Sequence, residues 1–325
     1  MLLLYAPSHG AKTMLEAFGS YLLGKDCDYE LIQEYSELKQ KIGLVQDLIV
    51  LAGIPVNDHL QNYEVIEMLK EKHVRTFFIL DHWHNDPRNF YDPDSSKFYL
   101  PEKIFCIDKS MQTRFIACGL DPKRIIPIGH PALEDTVNNK HSPERNAVIK
   151  KSLGIQKDIV SVFLDPIIGW HNIDFGYDEL DVVKFLLRST GRLSREFEFV
   201  IKCHPRTDPS LIRQVLHSAG NKNVQLLNES LVSSMDLLNI SEKVLGMTTI
   251  MLIHALALGK PTASIQLNPT RPGRSRSNVH LDKILISREP NLIQFLEDRL
   301  AFTEKLNSCN FEGTCRKLYK AINLG

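Results

Sequence analysis

The chain has 325 residues, 39 Lys and Arg against 39 Asp and Glu, and 43% hydrophobic residues. That length and apolar content suit two medium α/β domains or one large one. The balanced charge offers no global field for nucleic acid or an anionic membrane, so neither is an expected partner. The cysteines (Cys27, Cys106, Cys118, Cys203, Cys309, Cys315) form no CxxC pair, which argues for reduced thiols in a cytoplasmic protein and against a disulfide frame or a zinc site. The apolar start, Leu2 to Leu4, stops at Pro7-Ser8-His9, far short of a signal peptide or a membrane span. At most peripheral membrane contact is expected.

Leu2 to Ala6 reads as a buried strand that runs into Pro7-Ser8-His9-Gly10 and a helical pattern from Lys12 to Leu23. A polar loop between strand and helix is where α/β ligand sites form. His9 is therefore a candidate contact, although a plain loop residue fits there too. A short strand within Asp28 to Ser36, a helical turn or two over Glu37 to Val45, a β-rich run from Asp47 to Ala52 and an amphipathic helix from Tyr63 to Lys72 follow. Val74 to Leu80 is the next strand, and it ends in Asp81-His82-Trp83-His84-Asn85. Core packing does not ask for a carboxylate and two imidazoles at a strand end. Together they are the usual means of building a general base near neutral pH. A turn with Trp83 tucked into the core is the plainer reading. Metal ligation by the two histidines is a chance-level pattern, so no metal is expected. After the turn-rich loop from Arg88 to Lys97, Lys103 to Ile107 reads as a strand ending at Asp108, Ser110 to Ala117 as a helix, and Arg124 to Ile128 as a strand ending in Gly129-His130-Pro131.

The pattern breaks at the polar run from Asn138 to Pro143. A domain boundary is expected near residues 136 to 146, giving domains 1–136 and 137–325. Beyond it, a helix over Arg145 to Leu153 precedes a strand from Asp158 to Leu164 that ends in Asp165-Pro166. A helix from Glu179 to Ser189 follows, then a strand from Phe197 to Lys202 that leads into Cys203-His204-Pro205-Arg206. A helix from Pro209 to Ala219, a strand from Val224 to Leu227 and a helix from Leu231 to Ile240 complete the run. Val244 to Gln266 then reads as strand end, Gly246 turn, helix over Ile250 to Leu258, Gly259-Lys260-Pro261 stop and a strand over Thr262 to Ile265. Thr248 or Thr249 is the N-cap. A buried helix that opens beside a strand's carboxyl end is a natural phosphate site, and an ordinary αβ unit capped by threonine has the same features. Arg271 to Arg276 is a basic loop suited either to an acidic ligand group or to solvent. Helices over Asn291 to Leu306 and Thr314 to Ile322 close the chain.

Two αβ halves, a Lys202-Cys203-His204-Pro205 turn, the Gly246–Thr249 turn and the Ala255–Pro261 helix end together resemble the sugar-nucleotide enzymes of the GT-B fold. These include nucleotide-sugar glycosyltransferases, polyol-phosphate transferases of teichoic-acid type and non-hydrolysing UDP-sugar 2-epimerases. Ile128-Gly129-His130-Pro131 is similar to the turn that closes their first domain. Asp81-His82-Trp83-His84-Asn85 is similar to D-H-W-x-N motifs of bacterial surface-polysaccharide proteins. The resemblance implies two Rossmann-like domains facing each other across a cleft. It also implies a donor site at Lys202, His204, Arg206, Gly246, Thr248 and Thr249, with His254 where many relatives carry a ribose-binding glutamate. The candidate base group is Asp81, His82, His84 and His9, with Asp108 at the end of the next strand as a competing carboxylate. The implied activity is metal-independent glycosyl transfer from a nucleotide-sugar to a glycan, lipid-linked or polyol acceptor, with no further cofactor. A sugar-nucleotide epimerase or hydrolase, or a non-catalytic binder, is the alternative.

Overall fold

The computed structural model describes residues 1–45, 47–54, 59–92, 97–98, 100–169, 175–227, 232–269, 279–302 and 311–322. Two compact units are present, one formed by Met1–Asn138 with Asn307–Gly325 and the other by Asn139–Leu306. The last segment thus joins the first unit, not the second domain expected over 137–325.

The first unit contains β1 (Leu2–Tyr5), α1 (His9–Leu23), β2 (Tyr29–Ile32), α2 (Tyr35–Leu44), β3 (Ile49–Ile54), α3 (His59–Glu71) and β4 (Arg75–Leu80). A small antiparallel pair, β5 (Tyr91–Asp92) and β6 (Lys97–Phe98), precedes β7 (Lys103–Cys106), α4 (Lys109–Ala117), β8 (Ile125–Pro127) and α5 (Pro131–Asn138). Six strands form one parallel sheet in the order β2-β1-β3-β4-β7-β8. Their inner members are continuous apolar runs, as parallel strands covered on both faces require: every residue of β1 is buried, and so is β4 from Thr76 onward.

The second unit contains α6 (Pro143–Ser152), β9 (Ile159–Phe163), α7 (Glu179–Thr190), β10 (Glu198–Lys202), α8 (Pro209–Ala219), β11 (Val224–Leu226), α9 (Ser234–Ile240) and β12 (Lys243–Gly246). It continues with α10 (Ile250–Ala257), β13 (Thr262–Ile265), α11 (Val279–Asp282), β14 (Leu285–Ile286) and α12 (Glu289–Leu296). Its parallel sheet has the order β11-β10-β9-β12-β13-β14. The order of each sheet reverses once, at β1/β3 and at β9/β12. Ligands of open α/β sheets bind outside the carboxyl ends of strands at such points.

Helix α13 (Thr314–Ala321) packs back onto the first unit, burying Cys315 and Leu318 in the cluster that holds Leu15, Phe18 and Leu22 of α1. Both of its ends are held by side chains of that unit. Glu134 of α5 accepts from the N–H of Gly313 at 2.6 Å and of Cys315 at 2.8 Å. Lys103 donates to the carbonyl of Ala321 at 2.9 Å. An anion at the amino end and a cation at the carboxyl end match the helix dipole.

Two segments depart from the sequence reading. Residues after Gly129 form α5 directly, with Pro131 at the first helical position, where its missing N–H costs nothing. The helix expected to reach Leu306 stops at Leu296, because the chain turns through left-handed Asp298 and Arg299 bonds back to Gln294. The basic run from Arg271 to Arg276 lies outside the described residues.

Candidate functional site

In the first unit, strand β4 delivers Asp81 into a fixed turn. Asn85, itself buried, fastens that turn: its Oδ1 accepts from the N–H of His82 at 2.8 Å, and its Nδ2 donates to the carbonyl of Ile54 at the end of β3, 2.9 Å away. Arg114 of α4 donates to the carbonyls of Trp83 at 2.7 Å and Asn85 at 2.8 Å. Trp83 is buried, stacks on His130 and donates to Asp108 Oδ2 at 2.8 Å. The other oxygen of Asp108 caps α4 through Met111 N–H. Trp83, Asn85, Asp108 and Arg114 therefore build the loop, and both oxygens of Asp108 are engaged in doing so.

Asp81 differs from Asp108. Its Oδ2 accepts from the Ser8 hydroxyl at 3.3 Å, and Ser8 is the N-cap of α1. Its Oδ1 is buried with no hydrogen-bond partner among the described residues. Gly10 makes this approach possible, since a Cβ there would lie 2.7 Å from Asp81 Oδ2. Burial pushes the Asp81 carboxyl up to about 6, against the Ser8 hydrogen bond and the nearby Asn85 amide, both of which pull it down. A carboxylate that titrates close to neutrality, is mostly ionised there and keeps one oxygen uncommitted has the properties of a general base.

His82 cannot serve as that base through Nδ1, which accepts from the N–H of His84 at 3.1 Å. Its proton is thereby placed on Nε2, leaving a neutral donor. Desolvation, with the His84 and His130 rings nearby, pushes its titration down to about 3. His84 is half-buried, with its ring centroid 5.0 Å from that of His82. His9 is exposed at the first position of α1, directly after the Ser8 cap.

In the second unit, β9, β10 and β12 bring their carboxyl ends side by side. Lys202 ends β10 with a half-buried side chain, His204 follows it, and Arg206 is exposed. His204 repeats the His82 arrangement: its Nδ1 accepts from the N–H of Arg206 at 3.1 Å, so Nε2 carries the proton. Gly246 ends β12 for a packing reason. A Cβ there would lie 2.9 Å from the carbonyl oxygen of Phe163 and 3.1 Å from Leu252. Thr249 is the N-cap of α10, accepting from Met251 N–H at 3.3 Å. His254 is 6% exposed, and burial pushes it down to about 4.

The residue that sequence reasoning passed over is Asp165, just beyond β9. Its Oδ2 accepts from both the N–H and the hydroxyl of Thr248, at 2.6 and 2.7 Å. It is 4% exposed, and burial pushes it up to about 6, with the Arg206 charge acting the other way. The available signal was an Asp-Pro pair closing a strand beside a switch point. Among the described residues, no group of three or more His, Cys, Asp or Glu side chains is placed to hold a metal ion, and no helix is long and apolar enough to cross a membrane.

No protein-family model and no curated protein sequence matches the chain. Solved structures do. UDP-GlcNAc 2-epimerase from Methanocaldococcus jannaschii aligns over 100% of this chain and 99% of its own, with a TM-score of 0.67 at 13% identity. Anabaena HepE in complex with UDP and glucose aligns over 100% and 97%, with a TM-score of 0.58 at 11% identity. The wall teichoic acid polymerase TagF aligns over 98% and 83%, with a TM-score of 0.55 at 13% identity. These likenesses show the fold: two Rossmann-like domains of the GT-B type, shared with sugar-nucleotide enzymes.

Proposed function

We propose that the protein is a glycosyltransferase that uses a nucleotide-activated sugar, with Asp81 as the general base. The observation that carries this reading is the Asp81 carboxylate, buried at a strand end, raised to about 6 and holding one oxygen without a partner. In the reaction, Asp81 takes the proton of an acceptor hydroxyl as its oxygen bonds to the anomeric carbon. The bond from that carbon to the donor phosphate breaks, and the nucleotide leaves with the electron pair. His82, a neutral Nε2–H donor, orients the acceptor. The leaving phosphate is assigned to the second unit: Lys202, the His204 Nε2–H, Arg206 and the amino end of α10 at Thr249. Each aimed donor of this kind is worth roughly 10²–10³ in rate.

Two of the neighbouring structures are named for complexes with UDP or for the polymerisation of wall teichoic acid, which supports a nucleotide-activated donor and a surface-glycan or polyol acceptor. A 2-epimerase is the second reading. It is favoured by a separate observation: among the described residues, both units hold a buried carboxylate at about 6 (Asp81 and Asp165), and epimerisation needs groups that remove and return a proton near neutrality. The deciding experiment incubates the protein with UDP-glucose and UDP-GlcNAc, with and without polyol and oligosaccharide acceptors. Nucleotide release only with an acceptor supports transfer. Interconversion of the UDP-sugar without one, with deuterium taken up from heavy water, replaces transfer with epimerisation.

A further inference from the structure

Asp165 and Thr248 meet at the switch point of the second sheet. The two donors of Thr248 point at one carboxylate oxygen, at 2.6 and 2.7 Å. A phosphate bound at the opening of α10 needs donors of that kind. Met251 N–H is already held by the Thr249 hydroxyl, so few others remain in the first turn. The protein thus carries its own anion where a ligand anion would sit. Two anions cannot share the same donors while both stay ionised. Either the carboxylate is displaced, or it takes up a proton and turns from competitor to donor.

We propose that Asp165 is a proton-linked gate on the donor-phosphate site: it holds the Thr248 donors when the site is empty, and it is neutral when a donor phosphate is bound. This rests on the donor-site reading above. The geometry suits the role. Asp165 is pinned from its own backbone, where its N–H meets the Met247 sulfur at 3.3 Å, and it is buried, so the carboxylate has little room to swing away. Protonation is then the easier response. The charged groups acting on it among the described residues are Glu179 at the start of α7 and Arg206 after β10. Glu179 is itself engaged by the N–H of Ile168 at 3.0 Å. Burial already raises Asp165 to about 6, so a phosphate placed beside it carries its titration through the physiological range.

The test uses UDP-glucose and UDP-GlcNAc, whose diester diphosphates do not titrate between mildly acidic and mildly alkaline pH. Binding is followed by calorimetry at several pH values and in buffers of different ionisation enthalpy. The natural protein should take up close to one proton per ligand at neutral pH, and its Kd should rise toward tenfold per pH unit above about 6. Asp165→Asn, whose amide oxygen still faces Thr248 while its N–H₂ faces the phosphate, should bind with no such slope. At alkaline pH it should bind at least tenfold tighter than the natural protein. The proton-uptake measurement needs no variant, so the idea stands or falls even where Asp165→Asn fails to fold. Binding without proton uptake overturns the gate and leaves the donor site standing. A slope that persists in Asp165→Asn also overturns it and moves the proton to another group. Absence of binding at every pH overturns the donor-site reading itself, and the gate with it.

Discussion

Asp81 and Asp108 are both buried carboxylates after strands of the first sheet, and they do different work. Asp108 is spent on a helix cap and an indole N–H, whereas Asp81 keeps an oxygen unpartnered. Asp81→Asn should therefore lower turnover by about 10²–10⁴, the usual range for a general base, with nucleotide-sugar affinity near that of the natural chain. Steady-state kinetics beside calorimetry separates the two. Stability should move the opposite way. The Asp81 carboxyl rises from 3.8 to about 6 on folding. Between those values the folded form holds a proton that the unfolded chain has lost, so its contribution to stability falls as pH rises through the window. Above it the ionised, buried group costs on the order of 3 kcal/mol. Asp81→Asn should thus unfold at higher urea than the natural chain at pH ~8, with the gap closing below about pH 4. A constant gap across that range contradicts the raised titration. The sequence displayed Asp81 and both histidines. It did not display that the His84 N–H fixes the tautomer of His82, because that depends on a backbone turn three residues wide.

At the level of elements, the legible parts were those that composition forces. Apolar runs such as Leu2–Tyr5 and Thr76–Leu80 are strands, and Thr249 before an apolar run is a cap. The carboxyl-terminal stop of α10 was legible too, yet the reason for Lys260 was not. Its ammonium donates to the carbonyls of Asn239 at 3.0 Å and Ser241 at 2.5 Å, closing the end of α9, a helix remote from it in sequence. Burial, with Lys140 and Lys150 nearby, pushes Lys260 down to about 8. A lysine depressed on folding binds fewer protons folded than unfolded, so its contribution to stability should grow as pH rises from about 8 toward its unfolded value. Lys260→Met leaves two carbonyls without their donor and should cost roughly 1–3 kcal/mol. Urea unfolding at neutral pH checks this, and an unchanged midpoint contradicts the capping role. Gly246→Ala is the matching test of packing. A methyl 2.9 Å from the Phe163 carbonyl should cost roughly 1–3 kcal/mol.

For the whole molecule, the fold class was readable from two αβ series joined at a polar break, and the destination of the last helix was not. α13 carries a strong amphipathic pattern but no mark of which apolar surface it covers. Only the structure connects Glu134 and Lys103 to its two ends. Removing residues 311–325 should destabilise the first unit selectively, and hydrogen exchange in α1 and α5 should speed up while that of β9 to β13 stays unchanged. Uniform loosening of both units contradicts this assignment. On the proposed function, the second unit binds the donor of a sugar-nucleotide reaction. The most direct test of this is a thermal-unfolding titration with UDP-GlcNAc and UDP-glucose on the natural protein and on Arg206→Ala. At about 100 times its Kd, a bound ligand should stabilise the natural protein by ~2.7 kcal/mol, and the variant should need at least about tenfold more ligand for the same shift. No shift with either ligand, or the same titration curve in Arg206→Ala, would contradict it.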